Sequence, residues 1–344
     1  MKSLAGRAAS VLDRCGLLAA LEAADRRKDR VRVIAYHRID EADAEPDLDP
    51  GLISATPGDF REQLEVIARH YAAVSLDDLM AAHRGLRPLP LRAVLLTFDD
   101  GYTDFESRAW PILREVGLPA VLFVPTAFPD SPESGFWWDR LHSALRRTQE
   151  REITDPLLGR LPLDDPSSRR AAHRMIRSRA KALPHDEAMA WLEDLVARLA
   201  DVPRRGHVLG WDTLRKLAKE GLSVCSHGHR HALCTRLSPH DLALDLSTSR
   251  ARIQAELGDA SPHPVFAYPA SGSDGAVREA VRRAGYEVAF GGRRGIDRIP
   301  FVEPLDVMRM PVHRYGTALF RAQLRPSVSR LGRALVDGRL RRSA

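Results

Sequence analysis

Short apolar runs rich in β-branched residues alternate with helical patterns along most of this chain, and that alternation limits its fold more than any other feature. The runs are Val31–Tyr36, Ala93–Phe98, Ala120–Val124, Leu222–Ser226, Val265–Tyr268, Glu287–Phe290 and Val307–Val312. Helical patterns at Ser107–Val116, Asp212–Glu220, Pro239–Leu257 and Ala276–Ala284 separate most of them. Thr56-Pro57 supplies an N-cap and a first-turn proline for a further helix through His70. Neighbouring parallel strands need crossover connections, usually helical. The pattern therefore predicts an α/β fold with a wound or barrel-like parallel sheet.

Three regions stand outside that alternation. Residues 1–30 open with apolar positions at helical spacing over 3–24, which predicts one amphipathic helix. Residues 131–205 carry helical segments with little strand pattern, punctuated by Pro156, Pro162, Pro166 and Pro184. They read as a mainly helical insertion in a barrel spanning 31–316, packed over it near its mouth. The tail, 317–344, is helical and Arg-rich, with Pro326 as a break. Its Leu319, Phe320, Leu324, Leu331 and Leu335 alternate with Arg321, Arg325, Arg330 and Arg333. Packing of that tail against the barrel is the plainer reading; peripheral contact with an anionic membrane surface is the other.

Several classes are excluded. No stretch approaches the roughly 18 consecutive apolar residues of a membrane span. Arg7, Asp13, Arg14 and Glu22 break up any leader-like apolar segment. Cys15, Cys225 and Cys234 are odd in number and lack paired metal-site spacing, which fits reduced thiols in a cytoplasmic protein. The net charge is +6, but only five of the 52 basic residues are lysine. With no ladder of aromatic and basic residues to stack bases, nucleic acid is not an expected partner.

Two segments carry chemistry. Leu95-Leu96-Thr97-Phe98-Asp99-Asp100-Gly101 puts adjacent carboxylates at the carboxyl end of an apolar strand, where active sites of parallel α/β folds assemble. Adjacent carboxylates repel unless a cation or proton offsets them. Because neighbours on an extended chain face different sides, one can bind a metal while the other faces a reacting water. An Asp-Asp-Gly alone is more often just an acidic turn. The second segment shifts that balance: Val224-Cys225-Ser226 runs directly into His227, His229 and His231. A helical turn would set His227 and His231 on one face, four residues apart, with His229 pointing elsewhere. Two imidazoles and one carboxylate leave positions open for water and substrate, as catalytic metal sites do.

These motifs resemble the polysaccharide deacetylases (carbohydrate esterase family 4, the NodB homology domain) over roughly 31–130 and 206–316. Thr97 to Gly101 matches the family's first motif and Ser226 to His231 its second. Tyr36-His37-Arg38, Phe136-Trp137-Trp138-Asp139 and Trp211-Asp212 look like the branch that acts in bacterial surface and exopolysaccharide biosynthesis. The resemblance implies a distorted (β/α) barrel. It also implies Asp100, His227 and His231 as ligands of a divalent metal, zinc first and cobalt, nickel or manganese as substitutes. Asp99 would then be the general base for removing N-acetyl groups from an amino-sugar glycan.

One departure stands out. The family's third motif carries an arginine where this chain has Ala267, in Phe266-Ala267-Tyr268-Pro269-Ala270. A backbone N–H near Ala270 still suits an oxyanion, since that role needs no side chain. Arg309, in Met308-Arg309-Met310-Pro311-Val312-His313, is the substitute expected beside Asp99, and His313 the expected general acid. An O-acetyl carbohydrate esterase and a metal-binding pseudoenzyme are the alternative functions.

Overall fold

The computed structural model describes residues 4–202, 206–313 and 316–325. It opens with α1 (Leu4–Arg14) and α2 (Leu17–Ala24). Then follow β1 (Arg30–Tyr36), β2 (Arg38–Ile39), β3 (Ile53–Ala55), α3 (Pro57–His70), β4 (Ala72–Ala73), α4 (Leu76–His83), β5 (Ala93–Phe98), α5 (Trp110–Val116) and β6 (Val121–Val124). The inserted region holds α6 (Trp137–Arg147), β7 (Glu152–Asp155), β8 (Gly159–Pro162), α7 (Pro166–Ala182) and α8 (His185–Leu199). The remainder is α9 (Trp211–Lys219), β9 (Ser223–Ser226), α10 (Pro239–Leu257), β10 (Val265–Ala267), α11 (Gly275–Arg283), β11 (Val288–Phe290), β12 (Asp297–Arg298), β13 (Met310–Pro311) and α12 (Thr317–Gln323).

One parallel sheet runs β11-β10-β9-β6-β5-β1, with β12 antiparallel against the start of β1. Residues 307–312 curl this sheet towards closure. Val307 N donates to Ala289 O on the β11 edge at 2.9 Å, and Val312 N donates to Ala35 O on the β1 edge at 2.9 Å. The strand expected over Val307–Val312 is regular only at Met310–Pro311 because the segment changes partners midway.

The period of two along each strand sorts the core. Val31, Val33, Leu95, Val121, Phe123, Val265, Ala267, Val288 and Phe290 form one cluster, the filled interior of the curled sheet. Ile34, Tyr36, Leu96, Phe98, Leu122, Val124 and Val224 face outward into a second cluster shared with α3, α5 and α9. Each fully buried side chain of this size contributes about 1.5–3 kcal/mol. In α3 the expected cap is present, with Asp59 N donating to Thr56 Oγ1 at 3.1 Å. Its buried Phe60, Leu64 and Ile67 lie one helical turn apart.

Three local expectations are corrected. The single N-terminal helix is two, separated at Cys15-Gly16, where Gly16 has φ +70° and ends the first one. The helix expected from Ser107 begins with a π-helical turn at Phe105–Ala109, ahead of the Pro111 that lacks an N–H. Within the mainly helical insertion, β7 and β8 pair as an antiparallel hairpin. With α6, α7 and α8 it encloses its own apolar cluster, including Leu141, Leu161, Ile176, Leu192 and Leu195. The third is the short last strand described above.

In the tail, Phe320 and Leu324 are buried in the outer cluster, Ala322 packs with Ala9 and Leu18, and Arg321 donates to Asp13 at 2.6 Å. Pro326, Arg330, Leu331, Arg333 and Leu335, on which the membrane reading partly rests, lie outside the described residues. Among the described residues, no helix is long and apolar enough to cross a membrane. Cys15, Cys225 and Cys234 are free thiols.

Candidate active site

The carboxyl ends of the parallel strands converge on one group of polar side chains. Asp99 N continues the β1–β5 ladder by donating to Tyr36 O at 2.9 Å. The chain then turns sharply: Asp100 has φ +77° and Gly101 φ +76°. Asp is among the few side chains that tolerate the left-handed region. A Cβ on Gly101 would stand 3.1 Å from Val124 Cγ1, so that position is held to glycine by both φ and space. His231 (φ +53°), Ala270 (φ +48°) and Ser271 (φ +62°) also have positive φ, so left-handed backbone gathers on the same side of the barrel. Such conformations cost about 1–3 kcal/mol each and collect at functional sites.

His227 leaves β9 fully buried, its N–H bonded to Val124 O. The expected helical turn over 227–231 is absent; the segment is an irregular loop. Asp245 from α10 holds that shape by accepting from His229 N at 2.8 Å and Arg230 N at 3.0 Å. Gly228, at φ +79°, lets Asp245 approach to within 3.0 Å of where a Cβ would be. His227 and His231 still meet, with ring centroids 4.9 Å apart. His229 turns away and bonds Thr126 Oγ1 through Nδ1 at 2.9 Å.

Asp100, His227 and His231 bring one carboxylate oxygen and two imidazole nitrogens within 4.8 Å of one another. His227 Nδ1 lies 2.8 Å from Ala267 O, and since a carbonyl only accepts, the ring proton sits on Nδ1. Nε2 therefore offers a lone pair 3.5 Å from Asp100 Oδ1. That oxygen is buried, 3.1 Å from His231 Nε2, and has no hydrogen-bond partner among the described residues. Electron-pair donors that face each other in a dry site fit a cation, and this donor set fits a divalent metal. Ala267 thus has a role that sequence reasoning missed: its carbonyl fixes the tautomer of a candidate ligand.

Arg309, 5% exposed, donates through Nη1 to Asp99 Oδ1 at 2.8 Å. It reaches Asp99 from beside β13, with its guanidinium carbon 5.9 Å from the centre of the Phe123 ring. Burial by itself would raise the Asp99 carboxyl. The charges of Arg309, His227 and His37, with the Arg309 hydrogen bond, outweigh it and hold that carboxyl well below the usual carboxylate range. His37, at the end of β1, puts Nε2 4.0 Å from Asp99 Oδ2 and is a third exposed. His313 is exposed and has His37 as an electrostatic neighbour. His37 is the nearer histidine to Asp99, although the sequence pattern favours His313.

The aromatic segment before and within α6 walls the site. The Trp138 ring lies 4.8 Å and the Phe136 ring 5.7 Å from that of His231. Trp138 Nε1 donates to Tyr102 Oη at 2.8 Å, and Tyr102 Oη donates to Asp139 Oδ2 at 2.6 Å. Burial raises Asp139 to about 7, against the lowering effect of the Tyr102 hydrogen bond. A carboxyl raised above its unfolded value stabilises the fold when protonated, and that contribution fades as pH rises from about 4 through 7. Asp139→Asn should remove the titration. Between about pH 5 and 7.5, urea melts of the wild type should lose roughly 2–3 kcal/mol more than those of the variant. Parallel pH profiles for the two would show that Asp139 is already ionised.

A family model described as polysaccharide deacetylase matches residues 87–289. The poly-β-1,6-N-acetyl-D-glucosamine N-deacetylase of Escherichia coli K12 is 37% identical over 100 residues, which is 29% of this chain and 14% of that protein. The chain therefore matches only about a seventh of the length of that curated relative. Among solved structures, the Streptococcus pyogenes deacetylase PplD in complex with acetate aligns with TM-score 0.56 and 17% identity, over 83% of this chain and 93% of that one. IcaB from Ammonifex degensii aligns with TM-score 0.52 and 17% identity, over 83% and 92%. At these identities the likeness shows a shared fold, the (β/α) barrel expected from the motifs. The family model spans more than half of the sequence, from ahead of β5 into β11: the chain belongs to the polysaccharide deacetylase family.

Proposed function

We propose that this chain hydrolyses N-acetyl groups on an amino-sugar glycan destined for a bacterial surface polysaccharide. The observation that carries the reading is one buried cluster that joins an unsatisfied Asp–His–His donor set to a carboxylate aimed by an arginine. The 37% identical relative supports the substrate class, because its name specifies a β-1,6-linked N-acetylglucosamine polymer.

Asp100, His227 and His231 would hold the divalent metal, for which Zn²⁺ best suits the donors, and Co²⁺, Ni²⁺ or Mn²⁺ are substitutes. When bound, such an ion polarises the acetyl carbonyl and makes the attacking water acidic enough for a weak base. Asp99 takes that proton on Oδ2, the oxygen Arg309 leaves free. The pairing keeps Asp99 ionised and oriented, at the expense of its basicity. His37, whose Nε2 lies 4.0 Å from Asp99 Oδ2, would protonate the departing sugar amine, with His313 as the alternative. In the left-handed turn at Ala270–Ser271 the Ala270 N–H would serve an oxyanion, since Ser271 N already donates to Tyr268 O.

Acetate release from N-acetylglucosamine oligomers, compared with acetylated xylan and repeated after chelation, tests the reading. Release that requires metal and the amino sugar supports it; release from xylan alone would identify an O-acetyl esterase. Arg309→Ala should lower kcat by about 10²-fold or more while metal content holds. It should also move the acid limb of the kcat/KM profile to higher pH, because burial then raises Asp99 with less opposition. An unmoved limb would make Arg309 a purely structural residue.

A further inference from the structure

A second cluster of ligand-type side chains lies outside the site above. Asp49 comes from the connection between β2 and β3, His142 from α6 and His173 from α7, with one donor atom from each within 4.8 Å of the others. Asp49 is 4% exposed. Its Oδ1 accepts from Gly51 N at 2.9 Å and its Oδ2 from Arg177 Nη1 at 2.8 Å. The two imidazoles meet edge to face, with centroids 5.9 Å apart.

Each imidazole has one nitrogen committed to a backbone carbonyl, His142 to Pro46 and His173 to Trp138. A carbonyl accepts and never donates, so those nitrogens carry the ring protons and the opposite nitrogens present lone pairs. In His173 that nitrogen is Nε2. It is buried, lacks a hydrogen-bond partner among the described residues, and lies 3.9 Å from Asp49 Oδ2. A buried acceptor nitrogen without a donor is unfavourable, and Arg177 Nη1 satisfies only the Asp49 oxygen that faces it.

We propose that Asp49, His142 and His173 hold a second divalent cation, of the zinc class, that ties the β2–β3 connection to the helical insertion. Two imidazole nitrogens and one carboxylate oxygen, drawn from three separate segments, suit Zn²⁺. Arg177 holds the carboxylate in place from outside, as outer partners of metal ligands do. A cavity of about 410 Å³ borders both histidines. The neighbouring Asp47 clamps the same connection to α6 through Ser143 and Arg147, so the ion sits on an interface that is already polar. That interface backs the wall of the first site, since Asp49 N donates to Asp139 Oδ1 at 2.7 Å.

Zinc stoichiometry tests this without any turnover. The intact chain should bind about two Zn²⁺ after equilibrium dialysis. With His227→Ala and His231→Ala it should still bind about one, and that ion should raise the melting temperature. Adding His142→Ala and His173→Ala should take binding to none. His173→Gln, with folding checked by circular dichroism, covers the case where the alanine variants do not fold. No zinc on the His227→Ala/His231→Ala chain, or zinc that survives the further loss of His142 and His173, would overturn the proposal. Neither result depends on the deacetylase reading, which is tested by acetate release.

Discussion

Replacing Asp100 with Asn should abolish turnover together with metal uptake at the Asp100–His227–His231 site while leaving the fold intact. Asn tolerates the left-handed conformation that Asp100 adopts at φ +77°, so the turn into Gly101 survives the change. What is lost is the charge on a buried oxygen within 3.5 Å of both candidate imidazole ligands. With a neutral amide there, the site has lost its only anionic donor and binds a divalent ion far more weakly. Wild-type protein saturated with zinc at about 100 times its Kd gains roughly 2.7 kcal/mol of stability. The variant should show no zinc-dependent rise in melting temperature at that site, and acetate release should fall to the chelated background. The comparison is best made in the His142→Ala background, so that zinc at the second cluster does not confuse the readout. A variant that retains both zinc and activity would remove Asp100 from the ligand set.

The sequence made the sheet legible because the strands' apolar runs and crossover helices depend on local pattern. Val31–Tyr36 and Ala93–Phe98 match the structure to within one residue. Thr56-Pro57 marked the start of α3 through a cap that acts within one turn. The failures have non-local causes. The loop at 227–231 is irregular because Asp245 of α10 and Thr126 and Ala127 after β6 take up its backbone groups. Val307–Val312 is split between two strands that lie far apart in sequence.

The site shows the same division. Asp99-Asp100 and His227/His231 each announce themselves as short motifs, whereas their supporting residues do not. Ala267 acts through a carbonyl, which its side chain cannot signal. His37 reaches Asp99 only because β1 pairs with β5 in register. Asp49, His142 and His173 are spread over three segments, none with a ligand spacing of its own. Arg309 is legible only through a gap, the missing arginine at Ala267. Both Arg309 and His37 lie outside the 87–289 match, so part of this site comes from beyond the matched region.

Asp99→Asn should lower kcat by about 10²–10⁴-fold with metal content unchanged, the range expected for loss of a general base. It should also destabilise the protein, and the two effects can be separated. Arg309 is buried and donates to Asp99, so a neutral amide at 99 leaves its guanidinium without its partner charge. Breaking a buried pair from one side costs about 3–5 kcal/mol, most of it the uncompensated charge that remains. The double variant Asp99→Asn/Arg309→Met removes that charge and places an apolar side chain beside Phe123. It should recover much of the stability measured by urea melts while activity stays at the single-variant level. Stability that returns together with activity would mean that Asp99 acts by packing rather than by taking a proton. Recovery of stability alone, with zinc still bound, would make the Asp99–Arg309 pair a device for keeping a buried base ionised, whose loss is felt twice: once in the chemistry and once in the fold.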